Sequence, residues 1–432
     1  MSPVEPASSY RDFLAQPNDG SYYPGHATVI VRVAGKVYIV DPVLMRPLLR
    51  DSWVFYPENI VDPLHFEVDG VFISHFHEDH YDPNALKLMR PGTPIYVTKG
   101  RAVLEEQLRA GGFNVQPIEP MQPMEIAPGV TALAMPSEYN QIDSSFIIKG
   151  NGFSVYQGND NFLTEATLSR ARELMGRINH AYIPYAYIWW YPICLASISA
   201  EERHRELHRL MDKHLEIGIS HGEILGADMI VPCGGNLVFH DNVDSEVNKA
   251  VYSPLQFKEY AERTHPDIAK KIFPLFAGDY AHNVDDRPKI VTAGLTSEQH
   301  RKGMAARLKE HAAQVGYVAP PPQKVGEKDL DFLKPRLAAL AAADLSYDLL
   351  FQRDGDMSQG ILVQLPEKKV SVSNRVTDTR PWIRFEVDPL VYDAWTDGTE
   401  KFEVMLETSR FRVHRQPEKH DPRIWEVLRL DL

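Results

Sequence analysis

The sequence is poor in the residues that several common functions require. It has only two cysteines, Cys194 and Cys233, in 432 residues, which excludes a disulfide framework and is typical of a reducing compartment. Neither has a metal-type partner nearby in sequence, so both are predicted to be core residues. No run of Lys and Arg occurs, and 59 acidic residues oppose 46 basic ones. We therefore do not expect nucleic acid as a partner, because phosphate contacts need clustered positive charge.

Long apolar segments are also missing. No stretch approaches the ~20 apolar residues that span a bilayer, and residues 1–13 lack the basic start and apolar core of a signal peptide. We therefore expect a cytoplasmic protein without membrane contact, whose main partner is a small-molecule substrate. The sequence leaves a homo-oligomer open.

The chain is long enough for two or three folding units. Strand and helix signals alternate after an initial hairpin, which favours an α/β fold of the αβ/βα sandwich type. The hairpin is predicted over residues 27–42, a strand from 69 that ends in polar residues, and helices over 161–177 and 199–217.

A Pro-rich, charged tract at residues 318–328 is predicted to be a linker. It separates a catalytic domain, residues 1–317, from a smaller C-terminal α+β domain, residues 329–432. We expect this second domain to begin with a helix over 329–345 and to continue with strand-rich segments, including WIRFEVDPLVYDAW and KFEVMLETSRFRVHR.

The strongest functional signal is Ser-His-Phe-His-Glu-Asp-His at 74–80, directly after an apolar strand. Neutral imidazole and carboxylate groups are good ligands for first-row transition metals. Because side chains alternate along an extended backbone, His75 and His77 are expected to project to the same side, while Asp79 and His80 turn towards a second site. The alternative, a polar loop that happens to be rich in histidine, would crowd imidazoles without partners. The motif therefore predicts a metal site.

The spacing His75-x-His77-x-Asp79-His80 resembles the signature of the metallo-β-lactamase superfamily. The resemblance implies two metal ions, one held by the alternating histidines and the other by the Asp-His pair. It also implies three later ligands, namely a residue after an apolar strand, a bridging aspartate and a final histidine.

Two acidic residues match the first two of these later positions. Asp160, after the strand FSVYQ, fits the bridging aspartate, with a helix-capping role as the alternative. Glu138 stands where a hydrolase of the superfamily is expected to have histidine, and so resembles the dinuclear-iron, CMP-N-acetylneuraminate hydroxylase-like branch. A carboxylate-rich site favours iron; the alternative is that Glu138 is a surface loop residue. Asp79, Glu138 and Asp160 are the expected catalytic carboxylates.

Several histidines compete for the final ligand. Residues 232–242 resemble the corresponding region of the hydroxylase-like members and favour His240, with His221 as the second choice. His204 and His208 share a helix face and could bind a metal, but their charged neighbours favour a solvated surface. The full set of candidates is His204, His208, His214, His221 and His240.

The substrate pocket is expected to be partly aromatic. Residues 25–28 resemble the N-terminal stretch of the same members, so His26 is expected along the pocket, with a structural hydrogen bond as the alternative. Segment 181–195 is expected to be mostly core, with a few rings forming a pocket wall. The predicted substrate-binding residues are His26, Tyr139, Tyr185, Tyr187, Trp189 and Asn236.

The resemblance is weaker in the C-terminal domain. The segment GTEKFEVMLETSRFRVHR resembles the sterol-carrier-like tail of some superfamily members. Binding of an apolar group, dimer contacts and coverage of the catalytic domain remain open as its role.

Three functions compete. The first is a di-iron oxygenase that uses dioxygen to hydroxylate a small organic metabolite; no iron–sulfur pattern accompanies it, so electrons would come from an external donor or the substrate. The second is a hydrolase of an ester, thioester, lactone or phosphodiester, with two zinc, manganese or iron ions. The third is a metal-binding scaffold without catalysis. The carboxylate at Glu138 favours the oxygenase.

Overall fold

The computed structural model describes most of the chain. Gaps in the description fall both in the N-terminal part of the chain and around the predicted linker. The described residues are 6–43, 48–49, 52–58, 67–140, 142–235, 237–239, 248, 252–315, 321, 330–331, 345–376, 379–399, 402–418 and 423–424.

The N-terminal three quarters of the chain has hairpins followed by alternating strands and helices, as predicted. Its strands are β1 (Gly20–Gly25), β2 (Thr28–Val33), β3 (Lys36–Val40), β4 (Trp53–Phe55), β5 (Gly70–Phe72), β6 (Pro94–Thr98), β7 (Asn114–Ile118), β8 (Met124–Ala127), β9 (Val130–Pro136), β10 (Ser144–Gly150), β11 (Phe153–Gln157), β12 (His180–Pro184), β13 (Met229–Cys233), β14 (Leu237–Phe239), β15 (Tyr280–Val284) and β16 (Arg287–Val291). Its helices are α1 (Pro6–Ala15), α2 (Pro83–Leu88), α3 (Ala102–Ala110), α4 (Glu165–Met175), α5 (Ala200–Leu225), α6 (Pro254–Thr264), α7 (Pro266–Ala269) and α8 (Ser297–Val315).

Two sheets pack face to face. One has the strand order β16-β15-β1-β2-β3-β5-β6-β7, and the other β13-β12-β11-β10-β9-β8. Between them Val31, Val40 and Phe72 of the first sheet share a buried core with Phe146 and Val155 of the second; each such side chain contributes roughly 1.5–3 kcal/mol on burial. Helices α1 to α3 cover the outer face of the first sheet, and α4 to α6 that of the second. The fold is therefore the predicted αβ/βα sandwich.

Local sequence signals explain the bounds of several elements. The turn between β2 and β3 has positive φ at Ala34 and Gly35 (50° and 73°), as a two-residue hairpin requires. Helix α5 begins at a reciprocal capping box, in which Ser199 and Glu202 bond to each other's backbone N–H groups. It continues past the predicted end at 217, because Gly218 and Gly222 lie on its buried face against the second sheet.

Polar residues gather where strands of both sheets end. In the first sheet β3 and β5 are parallel neighbours; Asp41 follows β3, and the motif Ser74–His80 follows β5. In the second sheet β11 and β12 are parallel, and Asp160 follows β11. Carboxyl ends of strands at one edge are where α/β folds usually place their sites.

The C-terminal part forms a sheet of its own, with the order β19-β18-β17-β20-β21. Two segments predicted to be strand-rich are half helical. Asp388 accepts a hydrogen bond from Leu390 N and caps a helix that has Pro389 in its first turn, and Val404 to Leu406 form a short apolar run that does not distinguish helix from strand. The elements are β17 (Asp348–Arg353), β18 (Asp356–Gln364), β19 (Lys369–Ser373), β20 (Trp382–Val387), α9 (Pro389–Thr396), α10 (Phe402–Thr408) and β21 (Phe411–Gln416).

This C-terminal sheet packs against the N-terminal part of the chain. Trp190, Cys194 and Leu195 belong to the same hydrophobic core as Phe411 and Val413. Val413 N donates to Cys194 O at 2.7 Å. Cys194 is buried here and Cys233 between the two large sheets, which confirms both as core residues.

The boundaries predicted for the two domains stay predictions. Of the linker 318–328 only residue 321 is among those described, and most of the helix expected over 329–345 also lies outside them. Among the helices described, none combines the length and apolar character needed to cross a membrane.

Candidate metal centre

The motif after β5 forms a tight turn. His80 N and Tyr81 N both donate to His77 O, at 3.0 and 2.8 Å. The chain then enters α2, whose first N–H groups are capped by the carboxylate of Asp82. The turn brings the ligand-type side chains of the motif together at the end of the strand.

A first group of metal-competent side chains consists of His75, His77 and Asp160. His75 Nε2 lies 2.9 Å from His77 Nδ1, so these two nitrogens face one another as ligands of one ion would. His75 is fully buried, His77 half-buried and Asp160 the most open of the three. The structure therefore brings together the two alternating histidines and the predicted bridging aspartate.

A second group, fully buried, consists of His26, Asp79 and His80. His26 Nε2 lies 2.8 Å from Asp79 Oδ2, and His80 Nε2 lies 3.3 Å from the same oxygen. His26 was expected to line the substrate pocket. It lies instead within this group, because the turn between β1 and β2, where His26 has a φ of 48°, points its ring at the motif.

Asp160 lies between the two groups. Its Oδ2 is 3.3 Å from His80 Nε2 of the second group, while it also belongs to the first. The preceding residue, Asn159, has a φ of 52°, a conformation that asparagine tolerates better than most residues. This placement is compatible with the bridging role predicted for Asp160.

Asp41 orients His80 from behind. His80 Nδ1 lies 2.8 Å from Asp41 Oδ2, and Ser74 donates to the same carboxylate from its hydroxyl at 2.6 Å and its backbone N–H at 2.8 Å. A carboxylate on the far nitrogen of a histidine is the usual support of a metal ligand. Sequence analysis missed this role, although the Asp41-Pro42 pair at the end of the hairpin was visible.

The electrostatics of the cluster favour a cation. Burial lowers the pKa of His75 well below its usual value, and neighbouring His80 and His77 lower it further. Burial acts in the same direction on His80, but Asp79 and Asp160 outweigh it and hold the pKa of His80 well above its usual value. The field at His80 is thus strongly negative, as at a metal site.

The residues fit a bound ion. His80 Nε2 is buried and has no hydrogen-bond partner among the residues that the structure describes. A buried polar atom without a partner is costly. Because this nitrogen faces the carboxylates of Asp79 and Asp160, a metal ion between them would satisfy it.

Glu138 does not join the cluster, which corrects the prediction that it is a ligand. It is exposed, and its carboxylate accepts hydrogen bonds from Thr164 N at 2.8 Å, Thr164 Oγ1 at 3.0 Å and Thr167 Oγ1 at 2.9 Å. These bonds hold the pKa of Glu138 below its usual value even though partial burial opposes them. Glu138 therefore anchors Thr164, the residue that caps the start of α4.

Asp143, which sequence analysis did not single out, is the carboxylate of the loop between β9 and β10 that lies beside the cluster, although it belongs to neither group. It is buried, and its Oδ1 lies 3.9 Å from His75 Nε2. Burial raises the pKa of this carboxyl, whereas nearby His77 lowers it. The signal that could have found it is Asn140, whose side chain accepts from Asp143 N at 2.9 Å and folds the loop after β9 back onto the cluster.

The predicted final ligand, His240, lies outside the described residues, as does Asn236. None of the other candidates belongs to either metal-competent group. His204 and His208 bond to each other at 3.0 Å, and the rings of His214 and His221 contact Phe162.

The predicted pocket aromatics are divided among three cores. Tyr185 is fully buried between the second sheet and its helices, and Trp189 packs against the C-terminal core. Tyr187 belongs to an apolar cluster with Trp53 and Phe55. The rings of Phe55 and Trp53 lie 5.0 and 6.0 Å from that of His26, so this third cluster borders the metal-competent side chains.

Two other features differ from the expected pocket. Tyr139 is 73% exposed in the loop after β9, which places it on the surface. A cavity of about 800 Å³ is present, but it is formed by β14, α6 and α8, and none of the predicted pocket residues that the structure describes lines it. Its walls include Leu237, Tyr252, Gln256, His300, Met304 and Leu308.

A family model matches the part of the chain that holds most of this cluster. Residues 38–193 match the family model described as "Beta-lactamase superfamily domain". This segment of the chain, which includes the motif His75–His80 and Asp160 but not His26, is therefore similar to the β-lactamase superfamily domain.

Two curated relatives match at low identity. One is the "Putative Rieske 2Fe-2S iron-sulfur protein" of Mycolicibacterium smegmatis, 23% identical over 354 residues, 72% of this chain and 64% of that protein. The other is "UPF0173 protein YddR" of Bacillus subtilis, 25% identical over 103 residues, 21% of this chain and 39% of that protein. The chain thus spans less than two thirds of the length of either relative.

Similar solved structures include both hydrolases and a hydroxylase. Igni18, a metallo hydrolase from Ignicoccus hospitalis, is 20% identical, covers 65% of this chain and 100% of its own, and has a TM-score of 0.42. CmlA, a diiron β-hydroxylase from Streptomyces venezuelae, is 16% identical, with coverage of 61% and 54% and a TM-score of 0.41. The isothiocyanate hydrolase from Delia radicum gut bacteria is 14% identical, with coverage of 61% and 98% and a TM-score of 0.42.

Proposed function

We propose that this protein is a di-iron oxygenase that hydroxylates a small organic molecule. The observation that carries the proposal is the composition of the two groups, since each consists of two histidines and one aspartate. Two imidazoles and one carboxylate with open positions are the ligand set typical of non-haem iron oxygenases.

The residues that would hold the ions follow from the groups. His75, His77 and Asp160 would hold one iron, and His26, Asp79 and His80 the other, with Asp160 close enough to both to bridge them. The buried carboxylate of Asp143 beside His75 makes the first site richer in oxygen ligands than a histidine would. The argument that a carboxylate-rich site favours iron therefore still applies, with Asp143 in place of Glu138.

The chain's own residues would position the ions and limit the access of water. When bound, iron supplies the binding and reduction of dioxygen. Asp41 holds the ring of His80 through the nitrogen that faces away from the other ligands. Trp53 and Phe55 place an apolar wall beside His26, where a small, partly aromatic substrate could pack.

Electrons for the reaction would come from a donor outside these 432 residues or from the substrate. Rieske clusters need two cysteines and two histidines on one cluster, whereas Cys194 and Cys233 are buried in separate cores. A Rieske-type donor, the class named for the mycobacterial relative, is our candidate.

The second candidate is a dinuclear hydrolase. Two histidines and one carboxylate also form catalytic zinc sites in hydrolases, and two metal ions can lower the pKa of a water that attacks an ester, thioester, lactone or phosphodiester. The two candidates share every ligand and differ in the reaction; the oxygenase requires iron, whereas the hydrolase can use zinc, manganese or iron.

Metal analysis separates them. The protein is purified aerobically without added metal, its iron, zinc and manganese per chain are quantified, and Mössbauer and optical spectra are recorded before and after reduction. About two coupled irons per chain, with a reduced form that reacts with dioxygen, would support the oxygenase. Two zinc ions with turnover of a generic ester would replace it by the hydrolase. Glu138→Gln is the matched control, because it removes a nearby carboxylate that lies outside the cluster.

A further inference from the structure

Helix α10 of the C-terminal part brings a carboxylate to the metal-competent cluster. Glu407 Oε1 lies 3.5 Å from His77 Nδ1, and the Glu407 side chain is only 11% exposed. Its backbone is held in place because Trp53 Nε1 donates to Glu407 O at 3.1 Å. Val404, one turn earlier, is buried in the same apolar cluster as Trp53 and Phe55. The contact is therefore part of a packed interface.

The nitrogen that Glu407 faces is the one that faces the other ligands. His77 Nδ1 is also the atom that lies 2.9 Å from His75 Nε2. A carboxylate that only oriented the ring would contact the opposite nitrogen, as Asp41 does on His80, whose Nε2 faces Asp79 and Asp160. Glu407 approaches the ligand side of His77.

The distance also suits a shared ion better than a hydrogen bond. Charge-assisted N–H···O bonds are typically ~2.7–2.9 Å long, shorter than the 3.5 Å observed here. Two ligand atoms at roughly 2.1 Å from one ion, at a near-tetrahedral angle, lie about 3.4 Å apart.

We propose that Glu407 is a ligand of the ion held by His75 and His77, contributed by the C-terminal part of the chain. This gives the C-terminal sheet and its helices a role beyond coverage of the catalytic domain, because the first metal site is incomplete without them. The inference rests on the metal centre proposed above, but not on whether the reaction is oxygenation or hydrolysis.

The test is cobalt binding by the full chain with Glu407→Gln, which keeps the size of the side chain and removes its charge. Glu418→Gln is the matched control: Glu418 accepts a hydrogen bond from Ser197 Oγ at 3.0 Å across the same interface and has no part in the cluster. Metal-free proteins are titrated with Co(II) against a chelator, and the visible absorption of the bound cobalt is recorded. Far-UV circular dichroism monitors folding.

Wild type and Glu418→Gln are expected to bind two cobalt ions with the same spectrum. Glu407→Gln should bind one ion normally and the other at least tenfold more weakly, with a changed cobalt absorption, and Glu407→Asp should recover part of the loss. Two ions in Glu407→Gln with wild-type affinity and spectrum would overturn the inference, and so would an equal loss in both Gln variants. If wild type itself binds no metal, the proposed function fails too, so the two failures are distinguishable.

Discussion

Replacement of Asp41 tests the geometry of the metal centre most directly. Its carboxylate receives the Ser74 hydroxyl, the Ser74 backbone N–H and the ring of His80, at 2.6, 2.8 and 2.8 Å. Asp41→Asn keeps the size of the side chain, and asparagine tolerates the φ of 46° found at this position. The substitution therefore removes a charge and one acceptor without straining the backbone.

The expected loss of metal affinity in Asp41→Asn follows from the acceptor that the amide lacks. It offers one acceptor oxygen in place of two, so either His80 Nδ1 or the Ser74 N–H is left facing an NH₂ group. Losing such support behind a metal-binding histidine typically weakens metal affinity about 10- to 100-fold, or roughly 1.4–2.8 kcal/mol. We expect this loss for the ion at His26, Asp79 and His80.

The assay is chelator competition with Co(II) or Zn(II) in a His77→Ala background, which weakens the first site and leaves the second to be titrated. Ser74→Ala removes the 2.6 Å bond to Asp41 and the 2.9 Å contact with His75 Nδ1 but leaves the carboxylate behind His80. It should therefore have a smaller effect on the ion at His26, Asp79 and His80. Unchanged affinity in Asp41→Asn would refute the reasoning, because His80 would then be positioned without this carboxylate.

Three further predictions concern single side chains. Glu138→Gln should leave metal content unchanged and lower the melting temperature by about 1–2 °C through a weaker cap on α4; loss of a metal ion would restore Glu138 as a ligand. Asp143→Asn should lower the affinity for one of the two metal ions about tenfold in the same competition assay. Unchanged affinity would show that Asp143 does not contribute to the metal site. Burial lowers the pKa of His180 to about 3, so this ring stays neutral in the folded protein at pH values where it is protonated in the unfolded chain. The folded state is therefore not penalised above pH ~6.5, the usual pKa of histidine, and it loses stability as the pH falls from there towards 3. Between pH 7 and 4.5, urea unfolding should show wild type losing ~2–3 kcal/mol relative to His180→Gln; parallel pH profiles would contradict this.

The sandwich and the core of the site could be predicted because their signals are local. The hairpin turn at Ala34-Gly35 fixes β2 and β3, and the motif after β5 places four ligand-type side chains within six residues. Their spacing alone predicts which of these side chains project from the same side of the backbone.

The positions of the residues that sequence analysis misplaced are set by the conformation of a loop or by contacts between segments far apart in sequence. Glu138 and Asp143 lie in the same loop between β9 and β10, and Glu138 is nearer the strand end that the family pattern indicates. The Asn140 side chain accepts from the backbone of Ile142 and Asp143, and this turn directs Asp143 inwards. His26 reaches the cluster from 53 residues before Asp79, and Glu407 reaches it from helix α10 of the C-terminal part. Neither approach has a local signature.

The position of Asp160 has a consequence for the stability of the sandwich. Asp160 follows a strand of the second sheet, whereas His75, His77 and His80 follow a strand of the first, so an ion that binds both would clamp the two layers at one edge. The two cysteines cannot provide such a clamp, because they lie in different cores. Metal would then do in this chain what a disulfide does in a secreted protein, and its removal would loosen the edge where substrate has to enter.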